Sequence, residues 1–121
     1  MLEHVSVPVS DFQKAKAFYL AALAPLGYVL QRDYPSEAAG FMEGGHTSFW
    51  IAKKDAVVTP IHVALLAQNR EAVDAFHAAA ITHGGSDNGA PGRRDGYGYA
   101  AFAFDPDGNN IEAVLFEEGD E

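Results

Sequence analysis

No cysteine occurs anywhere in the 121 residues, which excludes disulfide staples, thiolate nucleophiles and cysteine-based zinc sites. Positive charge is scarce as well. Eight Lys and Arg stand against seventeen Asp and Glu, a formal net charge of −9. Nucleic acid and anionic membrane surfaces need a basic footprint, so neither is an expected partner. Long apolar runs are also missing, and none approaches the length that crosses a bilayer. The opening MLEHVSVPVS alternates like a strand and does not join a charged segment to a long apolar one. No secretory signal is read there, and the cytoplasm is the expected location. Part of the acidity sits in residues 117–121, Glu117-Glu118-Gly119-Asp120-Glu121, read as a solubilising acidic tail.

What is present suits one globular domain. The apolar fraction is 48% with 21% charged, and a chain of this length can bury a core of its own. The most informative feature is an internal repeat. HVSVPVSDFQKAKAFYLAALAPLGY (His4–Tyr28) lies without gaps over HVALLAQNREAVDAFHAAAITHGGS (His62–Ser86), at an offset of 58 positions. His4 meets His62, Ala17-Phe18 meets Ala75-Phe76, Ala21-Ala22 meets Ala79-Ala80, and Gly27 meets Gly85.

Each copy predicts a strand, a cap and a helix. In the first, Leu2–Val9 alternates, Ser10 or Asp11 caps, and Asp11–Ala24 carries an apolar face at Ala15, Phe18, Ala22 and Leu23 before Pro25 and Gly27 stop the helix. In the second, Ile61–Ala67 is the strand, Asn69 caps, and Val73, Phe76, Ala80 and Ile81 form the buried stripe, ended by Gly84-Gly85. Further strands are expected at Tyr28–Asp33, Ala38–Glu43, Thr47–Lys53, Tyr99–Phe104 and Asn110–Phe116, with a poorly defined segment after Gly85. Asp-Pro-Asp-Gly at 105–108 suits a type I turn. The expected organisation is α+β, with βαβββ occurring twice: module 1 over about 1–54, module 2 over about 60–117, and a linker near 54–59.

Strand parity then selects a face. Val5, Val7 and Val9 share one side, and so do Ile61, Val63, Leu65 and Ala67, and again Ile111, Ala113 and Leu115. These rows belong under the helices. His4, His62 and Glu112 therefore point the other way. Two imidazoles and one carboxylate on one surface form a candidate facial ligand set for Fe(II), Mn(II), Zn(II) or Ni(II), with open positions for substrate or water. A carboxylate within an apolar strand needs such a partner, because an unpaired buried charge is costly.

The stretch GGSDNGAPGRRDGYG (84–98) holds six glycines and the pair Arg93-Arg94. It is read as a mobile lid over the cleft, with Arg93 or Arg94 neutralising an anionic substrate and Tyr97 or Tyr99 donating a hydrogen bond to it. His46 is read as a loop residue and a candidate substrate contact. Tyr19 and His77 occupy equivalent helix positions and are read as structural, and His83 fits a helix C-terminus.

LEHVSVPVSDFQKAKAFY, IHVALL and FDPDGNNIEAV together resemble the vicinal oxygen chelate superfamily, the glyoxalase, bleomycin-resistance and extradiol-dioxygenase group. The resemblance implies paired βαβββ modules curling as a mixed sheet around a cleft, completed in small members by a homodimer. It also implies a divalent metal at the positions matching His4, His62 and Glu112. Trp50 stands where glyoxalase I enzymes resembling this chain place a fourth, carboxylate ligand, and it offers stacking area to a substrate instead. The leading expectation is a metalloenzyme acting on a small oxygen-bearing molecule, with lyase, isomerase and dioxygenase chemistry all open. The alternative is a metal-free binder of the bleomycin-resistance type, in which Trp50, Phe41, Phe102 and Tyr97 hold a flat cationic ligand.

Overall fold

A computed structural model describes residues 1–117, and residues 118–121 of the acidic tail lie outside the described part. The chain runs β1 (Val5–Val9), α1 (Phe12–Leu23), a single 3-10 turn (Ala24–Leu26), β2 (Val29–Tyr34), β3 (Ala38–Glu43) and β4 (His46–Lys53). The pattern then repeats as β5 (His62–Leu66), α2 (Arg70–Thr82), β6 (Ser86–Arg94), β7 (Gly98–Phe104) and β8 (Asn110–Leu115). Hydrogen-bonded pairing stops between the modules. There are two four-stranded sheets, ordered β1-β4-β3-β2 and β5-β8-β7-β6. The first and last strands of each module pair in parallel, and the remaining pairs are antiparallel.

Capping and burial follow the residue types. Asp11 accepts from the Lys14 amide and Asn69 from the Ala72 amide, each satisfying an amide that the first helical turn leaves unpaired. Ala15, Phe18, Tyr19, Ala22 and Leu23 of α1 are buried, as are Val73, Phe76 and Ala80 of α2, whereas Ile81 stays exposed at the stripe's edge. The apolar strand rows lie beneath these helices, and one core cluster spans both modules. Phe18 reaches across to Gly85, where an added Cβ would sit 2.5 Å from its ring and 2.8 Å from the Ala80 carbonyl. A side chain there would wedge the modules apart.

The expected lid is a strand. Residues 86–94 pair with β7 as β6, through two register shifts. Glycines and Pro91 hide its strand character in the sequence, but β6 is the outermost strand, where a proline removes no ladder bond that the sheet needs. Glu117, assigned to the acidic tail, is tied down by a bidentate pair with Arg70, both contacts at 2.7 Å.

The expected turn at 105–108 closes with the Gly108 amide on the Asp105 carbonyl at 3.0 Å. It also clamps the modules together. The buried Asp105 carboxylate accepts from the Tyr19 hydroxyl (2.6 Å), the Asn109 side-chain amide (2.8 Å) and the backbone amides of Asp107 and Asn109 (2.9 Å each). Fully buried Asn109 donates to the Pro8 carbonyl at 2.9 Å and accepts from the Ile61 amide at 3.0 Å. Ser10 binds Asp107 through its amide and its hydroxyl. Burial, reinforced by the negative Asp105, pushes the Tyr19 hydroxyl well above its ordinary pKa of 10.0.

Between pH 10 and the raised value only the unfolded chain releases this proton, so stability falls as pH rises through that window. Tyr19→Phe is expected to cost about 1.5–3 kcal/mol near neutral pH, the range for a hydrogen bond to a charged group. It should also flatten the alkaline loss. Urea melts at neutral pH and above pH 10 test this, and equal alkaline losses in the two proteins would contradict it.

Candidate functional site

Cross-strand register builds the site from two unlike rows. On the second sheet Ala64 of β5, Glu112 of β8 and Phe102 of β7 stand side by side. On the first sheet the equivalent row is Ser6, Trp50 and Gly40, continued by Arg32 of β2. The repeat thus places Trp50 where module 2 has Glu112, and Gly40 where it has Phe102. Both rows lie on the faces turned away from the helices.

Glu112 and His62 meet. Glu112 Oε1 lies 2.9 Å from His62 Nε2, with the carboxylate 9% exposed and the imidazole 54% exposed. The carboxylate in the apolar strand therefore has its partner, and the pair is open to ligand on the histidine side. The Phe102 ring flanks it, its centroid 6.3 Å from that of His62. The Arg94 guanidinium lies over the same ring at 5.5 Å and donates to the Ala90 carbonyl.

His4 belongs to the other sheet. It precedes β1 and lines a cavity of about 450 Å³ with Glu3, Arg32, His46, Thr47 and Trp50. Its Nδ1 lies 2.5 Å from Glu3 Oε1, and His46 Nε2 lies 2.7 Å from the Glu3 carbonyl and 3.2 Å from its carboxylate. The bond to His4, helped by the charge of His46, holds the Glu3 carboxyl below its usual range. A ligating histidine is commonly oriented by a carboxylate on its other nitrogen, and here that arrangement leaves Nε2 available. Nothing in the sequence distinguished Glu3 for this role. Among the described residues, no three His, Asp or Glu side chains of one chain converge as a metal site.

The remaining expected contacts divide between the two sides. Trp50, Phe102 and Arg94 lie on the site face. Tyr99 does not: it shares the helix-facing parity of Ala101, its hydroxyl donates to Asp74 at 2.7 Å, and Arg70 lies 4.6 Å over its ring. Arg93 pairs with Tyr99 and shares that side. Tyr97 sits in the β6–β7 turn against Phe116. Phe41 is core, packed edge-on against Phe49, and offers no surface to a flat ligand. His77 pairs with Asp87 at 2.8 Å, and His83 closes the α2 C-terminus on the Ala79 carbonyl, both structural as expected.

Residues 1–113 match the family model of the Glyoxalase/Bleomycin resistance protein/Dioxygenase superfamily. The chain belongs to this superfamily. A glyoxalase/bleomycin resistance protein from Albidiferax ferrireducens is 34% identical with a TM-score of 0.82, the match covering 95% of this chain and 98% of that one. A family enzyme from Burkholderia phytofirmans shares the fold at 18% identity and a TM-score of 0.72, over 96% and 98% of the two chains. So does a lactoylglutathione lyase from Agrobacterium tumefaciens, at 19% and 0.71 over 97% and 98%. No curated protein matches the sequence. No described helix of this superfamily member is long and apolar enough to cross a membrane.

Gly40 keeps the Trp50 face flat. A Cβ there would lie 2.9 Å from two atoms of the Trp50 ring and 2.8 Å from the Thr47 methyl, closer than real Cβ contacts come. Trp50 is the sole tryptophan, so its emission reports on the site directly. Gly40→Ala is expected to shift that emission and to cost about 1–3 kcal/mol, the usual penalty of overpacking. An unchanged spectrum with unchanged stability would refute the close approach.

Proposed function

We propose that this protein is a metal-dependent enzyme of the glyoxalase type, acting on a small oxygen-bearing molecule at a site shared by two copies of the chain. His62 and Glu112 of one copy would hold the ion together with His4 of a second. The observation that carries this reading is the split ligand set: two donors already paired on one sheet, and the third on the other sheet, oriented by Glu3 with its Nε2 open. Imidazole and carboxylate suit Fe, Mn, Zn or Ni.

The strand order supports the pairing of copies. β1 and β5 are both edge strands, with His4 immediately before the first and His62 at the start of the second. A groove of about 490 Å³ follows β5 from Ala64 to Gln68, where Leu66 is 70% exposed. An unpaired edge beside an exposed leucine invites another strand or apolar surface. A twofold axis that sets β1 of one copy near β5 of the other makes both contacts at once, which is the closed symmetry most homodimers use.

When bound, a divalent cation supplies Lewis acidity toward one or two neighbouring oxygens of the substrate. The chain's own groups do the rest. Glu112 and His62 orient each other at 2.9 Å, Glu3 fixes the His4 tautomer, and Phe102 and Trp50 shield the faces of the cleft from water. Isomerase, lyase and oxygenase chemistry all fit this set of groups.

Metal titration of the chelator-treated protein is the test. One ion per chain is expected for the wild type, with binding abolished by His62→Ala or Glu112→Ala. Glu3→Gln should weaken it about 10–100-fold while leaving the far-ultraviolet circular dichroism intact. A folded wild type that takes up no stoichiometric metal would overturn the metalloenzyme reading in favour of metal-free small-molecule binding.

A further inference from the structure

The first-sheet half of the site carries a recognition surface that the metal ligands do not account for. Trp50 lies flat over Gly40, and Tyr34 stacks beside it with the rings 15° from parallel and their centroids 6.3 Å apart. Two aligned aromatic planes on one exposed sheet face form a platform for another planar group. Arg32 stands at the end of the same row, paired across from Gly40, and lines the cavity that Trp50 and His4 line.

Charge decides what sort of planar group. Arg32 makes no hydrogen bond or ion pair among the described residues, whereas Lys16 and Arg70 are each bound to a carboxylate. The one acid of the cavity, Glu3, is engaged by His4 and His46. Arg32 is therefore the cavity's uncommitted charge. The site's other aromatic ring, Phe102, likewise carries an arginine, Arg94, over its face. Both aromatic surfaces come with a guanidinium, so a flat cation would meet like charge at either one, while the two carboxylates of the site are engaged, Glu3 by His4 and His46 and Glu112 by His62.

We infer that the site takes a planar, conjugated molecule bearing a carboxylate, its ring on Trp50 and its carboxylate on the Arg32 fork. A guanidinium matches a carboxylate with two parallel hydrogen bonds and stacks well beside aromatic rings. The inference deepens the function proposed above, since it names the substrate class for the same cleft and rests on His4 belonging to it.

Benzoate is the probe, with benzamide as its neutral counterpart and acetate as its ringless one. Each is titrated into chelator-treated protein and followed by Trp50 emission and by calorimetry. Benzoate should bind saturably, with benzamide and acetate at least about tenfold weaker, as expected when a charge-assisted bond or a ring contact is missing. Arg32→Gln should bring benzoate down to the level of benzamide, and Trp50→Leu, followed calorimetrically, should bring it toward acetate. Benzoate binding no tighter than benzamide to the wild type would overturn the inference without recourse to any variant. So would an Arg32→Gln protein that binds benzoate normally. Metal titration of the same samples separates the two ideas. Benzoate binding without metal uptake would remove the metal site and keep this inference, and metal uptake without benzoate selectivity would do the reverse.

Discussion

The buried Asp105 carboxylate and its neighbour Asn109 set the geometry on which the rest depends. A carboxylate in the interior is tolerated only when its lone pairs are filled. Here four donors fill them, one of them the Tyr19 hydroxyl on the helix of the other module. Asn109 then binds the end of β1 through Pro8 and the start of β5 through Ile61. The strand that follows His4, the strand that begins with His62 and the entry to the strand carrying Glu112 are thereby referred to one buried point. A one-residue slip of β8 would turn Glu112 into the core.

The same clamp explains why His4 lies on a different sheet from His62 and Glu112. It packs the modules through their helices and the turn, with one core between them, and leaves β1 and β5 as open edges of separate sheets. Each module offers a half-site. The halves have diverged chemically: module 2 keeps an acid, a histidine and a phenylalanine, whereas module 1 keeps a histidine and turns the remaining row over to tryptophan, glycine and arginine. Duplication gave two equivalent positions per row, and in the function proposed here one would hold a cation and the other would recognise a flat anion. In the proposed dimer a second copy would reunite them.

Much of this was legible in the sequence because it is periodic. The repeat, the two caps, the buried stripes and the outward parity of His4, His62 and Glu112 all follow from alternation or helical spacing, which local physics enforces. Three features were hidden. β6 is glycine- and proline-rich, and its strand character comes from pairing with β7, not from its own residues. Arg93 looked like a cleft residue because a loop was assumed there, and once that segment is a strand its pairing with Tyr99 sends it to the helix side. Tyr99, already expected in a strand, was read with the neighbouring lid, but it shares the helix-facing parity of Ala101. Glu3, Arg32 and Tyr34 owe their placement to contacts between elements distant in sequence or to a neighbour with no periodic signal, so nothing local marked them.

The central claim is that one ligand position is built from His62 and Glu112 of one copy and His4 of another. Mixing His4→Ala and Glu112→Ala proteins, each unable to bind metal alone, tests it most directly. Subunit exchange should restore chelator-sensitive metal binding, because each mixed pair then contains one intact set of three ligands. A mixture that exchanges subunits and still binds none would contradict a site shared between copies.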